Sequence, residues 1–257
     1  MRKNRVFPSI KLSLIVFLLA TGLCQSYVYA ACNDKPAPRV NWSNCDKAGL
    51  NLASADLTEA TLTGINLSGA NLTGAQMARV DLSFAKLEKA NFSRVWMNKA
   101  ILIAAKANSA NFSGAYLQKT RFARAQLNQT VFIRAHLKGA NFYQSQLKQA
   151  NFSAADLQQS DFEQANLTRA VFSHAKMLNA VLTGARLLSA NFQAAMLDKA
   201  VFDGSNCRYT DFSHASLAQA SFRDARIEES IFKQAVLNGT IWSNYKRCSS
   251  DSIGVCE

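Results

Sequence analysis

The chain has 257 residues, 49% of them apolar, with 3 Pro and 11 Gly, a composition that excludes a disordered or collagen-like polymer. Lys and Arg number 29 against 17 Asp and Glu, a formal charge of +12 that favours anionic partners and argues against acidic mimicry of a nucleic acid. Prolines stop at Pro38 and no break in composition follows between about residue 50 and residue 242, so one domain is expected.

The first thirty residues read as an export signal. "MRKNR" supplies positive charge, Leu12 to Leu23 form an apolar run, and Val28 and Ala30 stand at the small-residue positions that a signal peptidase reads. Cleavage is expected after Ala30. The apolar run is too short to span a bilayer comfortably, and Cys24 follows Leu23 rather than a small residue, which disfavours a lipoprotein. Loss of Arg2, Lys3, Arg5 and Lys11 with this segment lowers the net charge to +8. The mature protein is expected in the periplasm or outside the cell.

Export changes how the cysteines read. Cys32, Cys45, Cys207, Cys248 and Cys256 remain, one pair before the central region and one pair after it. In an oxidising compartment the flanking pairs should close as Cys32–Cys45 and Cys248–Cys256. Their spacings do not suit zinc, and the three His lie far from both pairs.

Between these ends a large apolar residue returns every fifth position, as in Phe112, Leu117, Phe122, Leu127, Phe132 and Leu137, with a small residue two places before each. The register runs from Leu52 to Trp242 through thirty-nine pentapeptides without an insertion or deletion. Apolar spacings of two and three would smear around a helix, and they would alternate faces along a continuous strand. A short extended piece followed by a bend satisfies both gaps. Gly64, Gly114 and Gly184, among others, sit two after a centre, where such a bend needs positive φ. A chain bending the same way after each piece winds into a solenoid.

Stretches such as "ADLTEATLTGINLSGANLTGA" resemble the pentapeptide repeat family, with its A-(D/N)-L-x-x pattern. The resemblance implies an all-β fold, a right-handed quadrilateral parallel β-helix with four pentapeptides to a coil. Nearly ten coils would then stack into a rod roughly 45 Å long at ~4.8 Å per coil. Phe at most centres ending in 2 and Leu at most ending in 7 would place Phe on two opposite inner walls and Leu on the other two. Cys207, at a centre, should be inert in the filled shaft. Residues 31–49 and 243–257 would cap the ends of a repeat spanning 50–242, with Trp42 lying over the first coil.

No GxSxG, HExxH, CxxC, P-loop or GxGxxG motif occurs, so no catalytic residue, cofactor, metal or small-molecule substrate is expected. Most Asp and Asn stand one before a centre, where the family pattern uses them structurally. His174 and His214 would lie two coils apart, too far for one metal. The outer surface is more informative, because residues twenty apart should stack. Arg79, Lys99 and Lys119 form a basic column, and Trp96, Tyr116 and His136 form an aromatic one beside it, with Lys138 adjacent. From Lys89 to Ala155 ten basic residues and no acid occur. Cations interleaved with aromatics suit an anionic polymer or a sugar-bearing surface. Val181, Val201 and Ile241 form an apolar strip of the kind that serves self-association as a homodimer, as do Met196 and Val236 on another wall.

The sequence thus points to an exported, non-enzymatic interaction protein whose walls meet a partner protein, an anionic polymer or an envelope component. The resemblance also implies a rival, since some family members bind DNA gyrase as acidic, DNA-like rods. The signal segment, the positive charge and the paired cysteines all depart from that pattern.

Overall fold

The computed structural model describes residues 31–257; the expected signal segment and its cleavage site after Ala30 lie at or before the edge of the described residues. Every fifth residue from Asn41 to Ser221 pairs in parallel with the residue twenty further on, as in Asn71↔Asn91 and Tyr116↔His136. Twenty residues therefore make one coil, and four pentapeptides make its four sides. Each pairing involves a single residue, so no strand grows longer than the piece between two bends.

Residues 71–75 show why five residues form one side. Asn71 donates its N–H to the Leu50 carbonyl of the preceding coil at 3.0 Å. Leu72 and Gly74 donate to Asn91 and Ser93 of the next coil, and Ala75 closes the bend by donating to Leu72. Only the Thr73 N–H is left, and the Asn71 side-chain oxygen accepts it at 3.2 Å. All five donors are thereby met, as a folded backbone requires. Where an Asn or Asp stands before a centre, its side chain caps the one amide that the backbone ladder leaves over, as at Asn41, Asn151 and Asp211.

The bend has positive φ at its third residue and not at its second, the type II arrangement. From Asn44 to Gly239 every residue two after a centre adopts it, and most are not glycine: Lys99, Ala154 and Gln164 have φ of 60, 56 and 57°. Gly64 has a second reason to be glycine, because a Cβ there would collide with Asn44 Oδ1.

The centres and the small residues before them fill the shaft. Phe112, Phe132, Phe152 and Phe172 stack with centroids 4.7–5.1 Å apart, and Phe122, Phe142 and Phe162 stack on the opposite wall. The two columns meet edge to face, as between Phe142 and Phe152 at 5.7 Å and 84°. Such offset contacts follow the ring quadrupole. Cys207 is fully buried at a centre beside Ser205, and burial pushes its thiol pKa up to about 12.

The ends differ from expectation in one respect. Paired register begins at Asn41 rather than near residue 50, with Trp42 fully buried as a centre and Val40 as its small-side partner. Trp42 therefore lies within a coil instead of over it. Lys47 occupies the next centre, its ammonium 4.6 Å above the Trp42 ring, which is why the apolar period breaks there. The structure brings Cys32 and Cys45 to disulfide distance, with Cα atoms 5.5 Å apart, and likewise Cys248 and Cys256 at 4.8 Å. At the far end the chain reverses: Arg247 pairs antiparallel with Ile241, and Ile253 with Val236. This reversal covers part of the last coil's open edge, the part that would otherwise recruit another chain.

Candidate ligand-binding wall

One outer wall carries a ladder of stacked rings. Trp96 lies on Tyr116 with centroids 4.1 Å apart and 14° between planes, and Tyr116 lies on His136 at 4.7 Å and 9°. The ladder exists because each ring stands one before a centre in successive coils, and the backbone pairs Trp96 with Tyr116 and Tyr116 with His136. Trp96 keeps 49% of its surface exposed. Its face away from Tyr116 opens into a groove of about 490 Å³, bordered by Thr58, Gln76, Ala78 and Asn98. Ala78 leaves room where a longer side chain would fill the space.

The sequence placed Arg79, Lys99 and Lys119 in one column, and they do occupy the same corner in successive coils. Arg79 is the exception in charge. Its guanidinium donates to Glu59 Oε1 at 3.0 Å, while Arg39 donates to the other Glu59 oxygen at 2.9 Å. These two arginines hold the Glu59 carboxyl below its ordinary range, the hydrogen bond from Arg39 contributing most. Arg79 thus shares a single counter-charge with Arg39. Lys99, Lys119 and Lys138 are exposed, and among the described residues none of them has an ion pair.

Two cations that the sequence reading counted but did not place in the wall complete it. Arg94, Gly114 and Arg134 stand two residues before Trp96, Tyr116 and His136, on the other flank of the ring ladder. The missing side chain at Gly114 leaves a hollow of about 350 Å³ between the two arginines, lined also by Ser113 and Ile133. The signal was present: two arginines forty residues apart around a glycine are two coils apart on one column. Under the wall, Gln118 Oε1 is buried without a hydrogen-bond partner.

The ten cations between Lys89 and Ala155 are not confined to this face. Their register spreads them over all four walls as an acid-free belt. The expected apolar strip is less open than the sequence suggested, since Val181, Val201 and Ile241 are half-buried and Ser221 is buried. Met196 is exposed at 51% and Val236 pairs with the terminal Ile253. Among the described residues no three His, Cys, Asp or Glu side chains come together to hold a metal ion, and no helix is long and apolar enough to cross a membrane.

The family model described as pentapeptide repeats matches residues 39–74, 55–94, 145–184, 165–204 and 205–241, and the model of a pentapeptide repeat region matches 75–152. The chain belongs to the pentapeptide repeat family. The right-handed β-helical solenoid comes with that membership. No curated protein matches the sequence. Among solved structures, HetL, a pentapeptide repeat protein involved in heterocyst differentiation regulation from the cyanobacterium Nostoc, is 28% identical over 84% of this chain and 95% of its own, with a TM-score of 0.44. Full-length QnrB1, a plasmid-mediated fluoroquinolone resistance protein, is 15% identical over 78% of this chain and 94% of its own, TM-score 0.44. A pentapeptide repeat protein of the Arabidopsis thaliana thylakoid lumen is 19% identical over 39% and 82%, TM-score 0.30.

Proposed function

We propose that this pentapeptide repeat protein is an exported, non-catalytic binding rod whose Trp96–Tyr116–His136 wall holds an acidic glycan of the cell envelope. One observation carries the reading: a stack of rings, exposed at Trp96 and His136, is bordered on both flanks by cations that lack counter-ions. Sugar rings lie on the open Trp96 face, and acidic groups meet Lys99, Lys119, Arg94 and Arg134. Aromatic faces beside cations supply stacking and charge together. Oxidation of Cys32–Cys45 and Cys248–Cys256 fits the export reading. A gyrase-binding, DNA-like rod needs rows of carboxylates, which the belt from Lys89 to Ala155 lacks entirely.

The test uses the mature chain and immobilised lipopolysaccharide, with duplex DNA as a second arm. Binding should weaken as salt rises, because ion release and screening act against exposed cations. Lys99→Glu with Lys119→Glu should remove most of it, and Trp96→Ala should weaken it at constant charge. Arg226→Glu with Lys233→Glu makes the same change in net charge elsewhere on the rod and should leave binding largely intact. Equal losses from both pairs would mean attraction to global charge alone. DNA bound as tightly as the glycan would overturn the choice of polymer, and recovery of the protein in the cytoplasm with residues 1–30 intact would overturn the export reading.

A further inference from the structure

On a different wall the side chains form an array of carboxamides. Arg124 Nε donates to Gln144 Oε1 at 3.4 Å, and Gln144 Nε2 donates to Gln164 Oε1 at 2.9 Å. This column then stops, because the next two rungs are Gly184 and Gly204. Two residues along, a second column runs from Gln146 through Asn166 to Arg186, with Asn166 Nδ2 donating to Gln146 Oε1 at 3.2 Å. Between the columns lies a groove of about 400 Å³ lined by Gln144, Gln146, Gln164, Asn166, Gly184 and Arg186.

The groove is open only because Gly184 has no side chain. A Cβ there would meet Gln164 Cγ at 3.6 Å, ordinary contact, and one at Gly204 would meet nothing within 4 Å. Nothing steric therefore demands glycine at either rung, and the same positive-φ site accepts Gln at 144 and 164. The gap clears a lane along the rod axis, two coils long.

The polar groups facing the lane are incompletely used. A carboxamide offers two N–H donors and an oxygen with two lone pairs. Among the described residues, Gln146 Nε2 and the Arg186 guanidinium make no hydrogen bond or ion pair, and Gln164 Nε2 reaches only Glu163 at 3.4 Å. No apolar or aromatic side chain lines the groove, which excludes lipid tails and flat aromatic ligands. Carboxamide acceptors and the nearby Glu163 carboxylate disfavour a multiply charged anion. What needs both donors and acceptors at close spacing is a set of hydroxyl groups. The volume falls within the ordinary range for small-ligand sites.

We infer that the Gln144–Arg186 groove is a second binding site, for a neutral, linear oligosaccharide lying along the rod axis, with its hydroxyls paired to the carboxamides and Arg186. This site stands independently of the aromatic wall and does not rest on its reading.

The experiment titrates the mature chain with three neutral hexasaccharides, cellohexaose, maltohexaose and the hexamer of N-acetylglucosamine. The side-chain NH2 resonances of Gln144, Gln146, Gln164 and Asn166 report binding by NMR. At least one sugar should saturate and shift these signals together. Gly184→Gln, which continues the column and fills the groove, should weaken that binding by about tenfold or more. Gln146→Leu should do the same while keeping the volume. Gly69→Gln, the same change at a positive-φ rung four coils before Gln146 with free space around it, controls for backbone effects and should leave binding unchanged. No saturation by any of the three at ~10 mM, well above the ~1 mM dissociation constant of a weak complex, would overturn the inference. So would binding that survives both groove variants, or that Gly69→Gln impairs equally.

Discussion

The Phe152 ring lies parallel to Phe132 of the preceding coil, with centroids 4.7 Å apart and planes within 1°. Phe152 also meets Phe142 and Phe162 edge-on, so one ring supports both inner columns. Phe152→Ala should therefore open a cavity that two rigid stacks cannot collapse into, at a cost of ~3–5 kcal/mol. Gln158→Ala, on the outer wall of the next pentapeptide, should fall within ~0.5 kcal/mol. Chemical denaturation of both variants checks this, and comparable losses would mean that the inward register is wrong.

Peptide mapping without reduction should link Cys32 to Cys45 and Cys248 to Cys256, in a mature chain that begins at Ala31. The loops close over separations of 13 and 8 residues, so each link should stabilise its end by about 2–3 kcal/mol through the unfolded chain. Cys207 should resist alkylation until unfolding, since a thiol held at about 12 carries almost no thiolate at neutral pH. A bridge to Cys207 would contradict its place in the shaft.

Ala154 is exposed with φ of 56°. A left-handed conformation costs a non-glycine residue roughly 1–2 kcal/mol, against about 0.5–1 kcal/mol for the extra chain freedom that glycine loses on folding. Ala154→Gly should accordingly raise the melting temperature slightly. Gly64→Ala should lower it, because φ of 68° and the Asn44 contact both oppose a methyl group. A drop from both changes would show that the bend tolerates left-handed alanine without strain.

Glu59 is held below its ordinary 4.5, first by the Arg39 hydrogen bond and then by Arg79. A carboxyl whose folded value is depressed contributes stability above its unfolded value and loses it as pH falls through the folded one. An NMR titration should find Glu59 ionising below 4.5, and Arg39→Gln should move it upward. The acid-dependent loosening of the first coils should shrink in Glu59→Gln. The pair is solvent-exposed, so salt should weaken the effect. Titration at the ordinary value would contradict the pairing.

Much of this molecule is legible in its sequence because a period of five leaves the chain few shapes. Phe112 and Phe132 need no alignment to be placed on one inner column once twenty residues make a coil. The paired cysteines are legible for a similar reason, standing outside the repeat at its two ends. What escaped was whatever broke the period or needed two columns at once. Lys47 hid the coil to which Trp42 belongs, since a cation over an indole does not look like a core centre. Glu59 sits one rung before Arg79, yet reading the column only for cations overlooked its counter-ion. Arg94 and Arg134 lie around a corner from the rings, a relation visible only when flanking columns are laid side by side. The positive φ at Lys99 or Gln164 has no signature in those residue types, because the coil-to-coil hydrogen bonds impose it.

The direction of those bonds has a mechanical consequence. Leu72 reaches Asn91 and Gly74 reaches Ser93 one coil away, so the bonds run along the rod rather than across it. Tension applied to the two chain ends would open them like a peeled spiral, starting at a terminal coil, which has neighbours on one side only. Each coil let go would release twenty residues, up to roughly 66–72 Å of extended chain. Once oxidised, the short loops between Cys32 and Cys45 and between Cys248 and Cys256 would stay shut under such a load. A rod built this way yields in equal lengths, as a tether that pays out line while its remaining turns keep their shape.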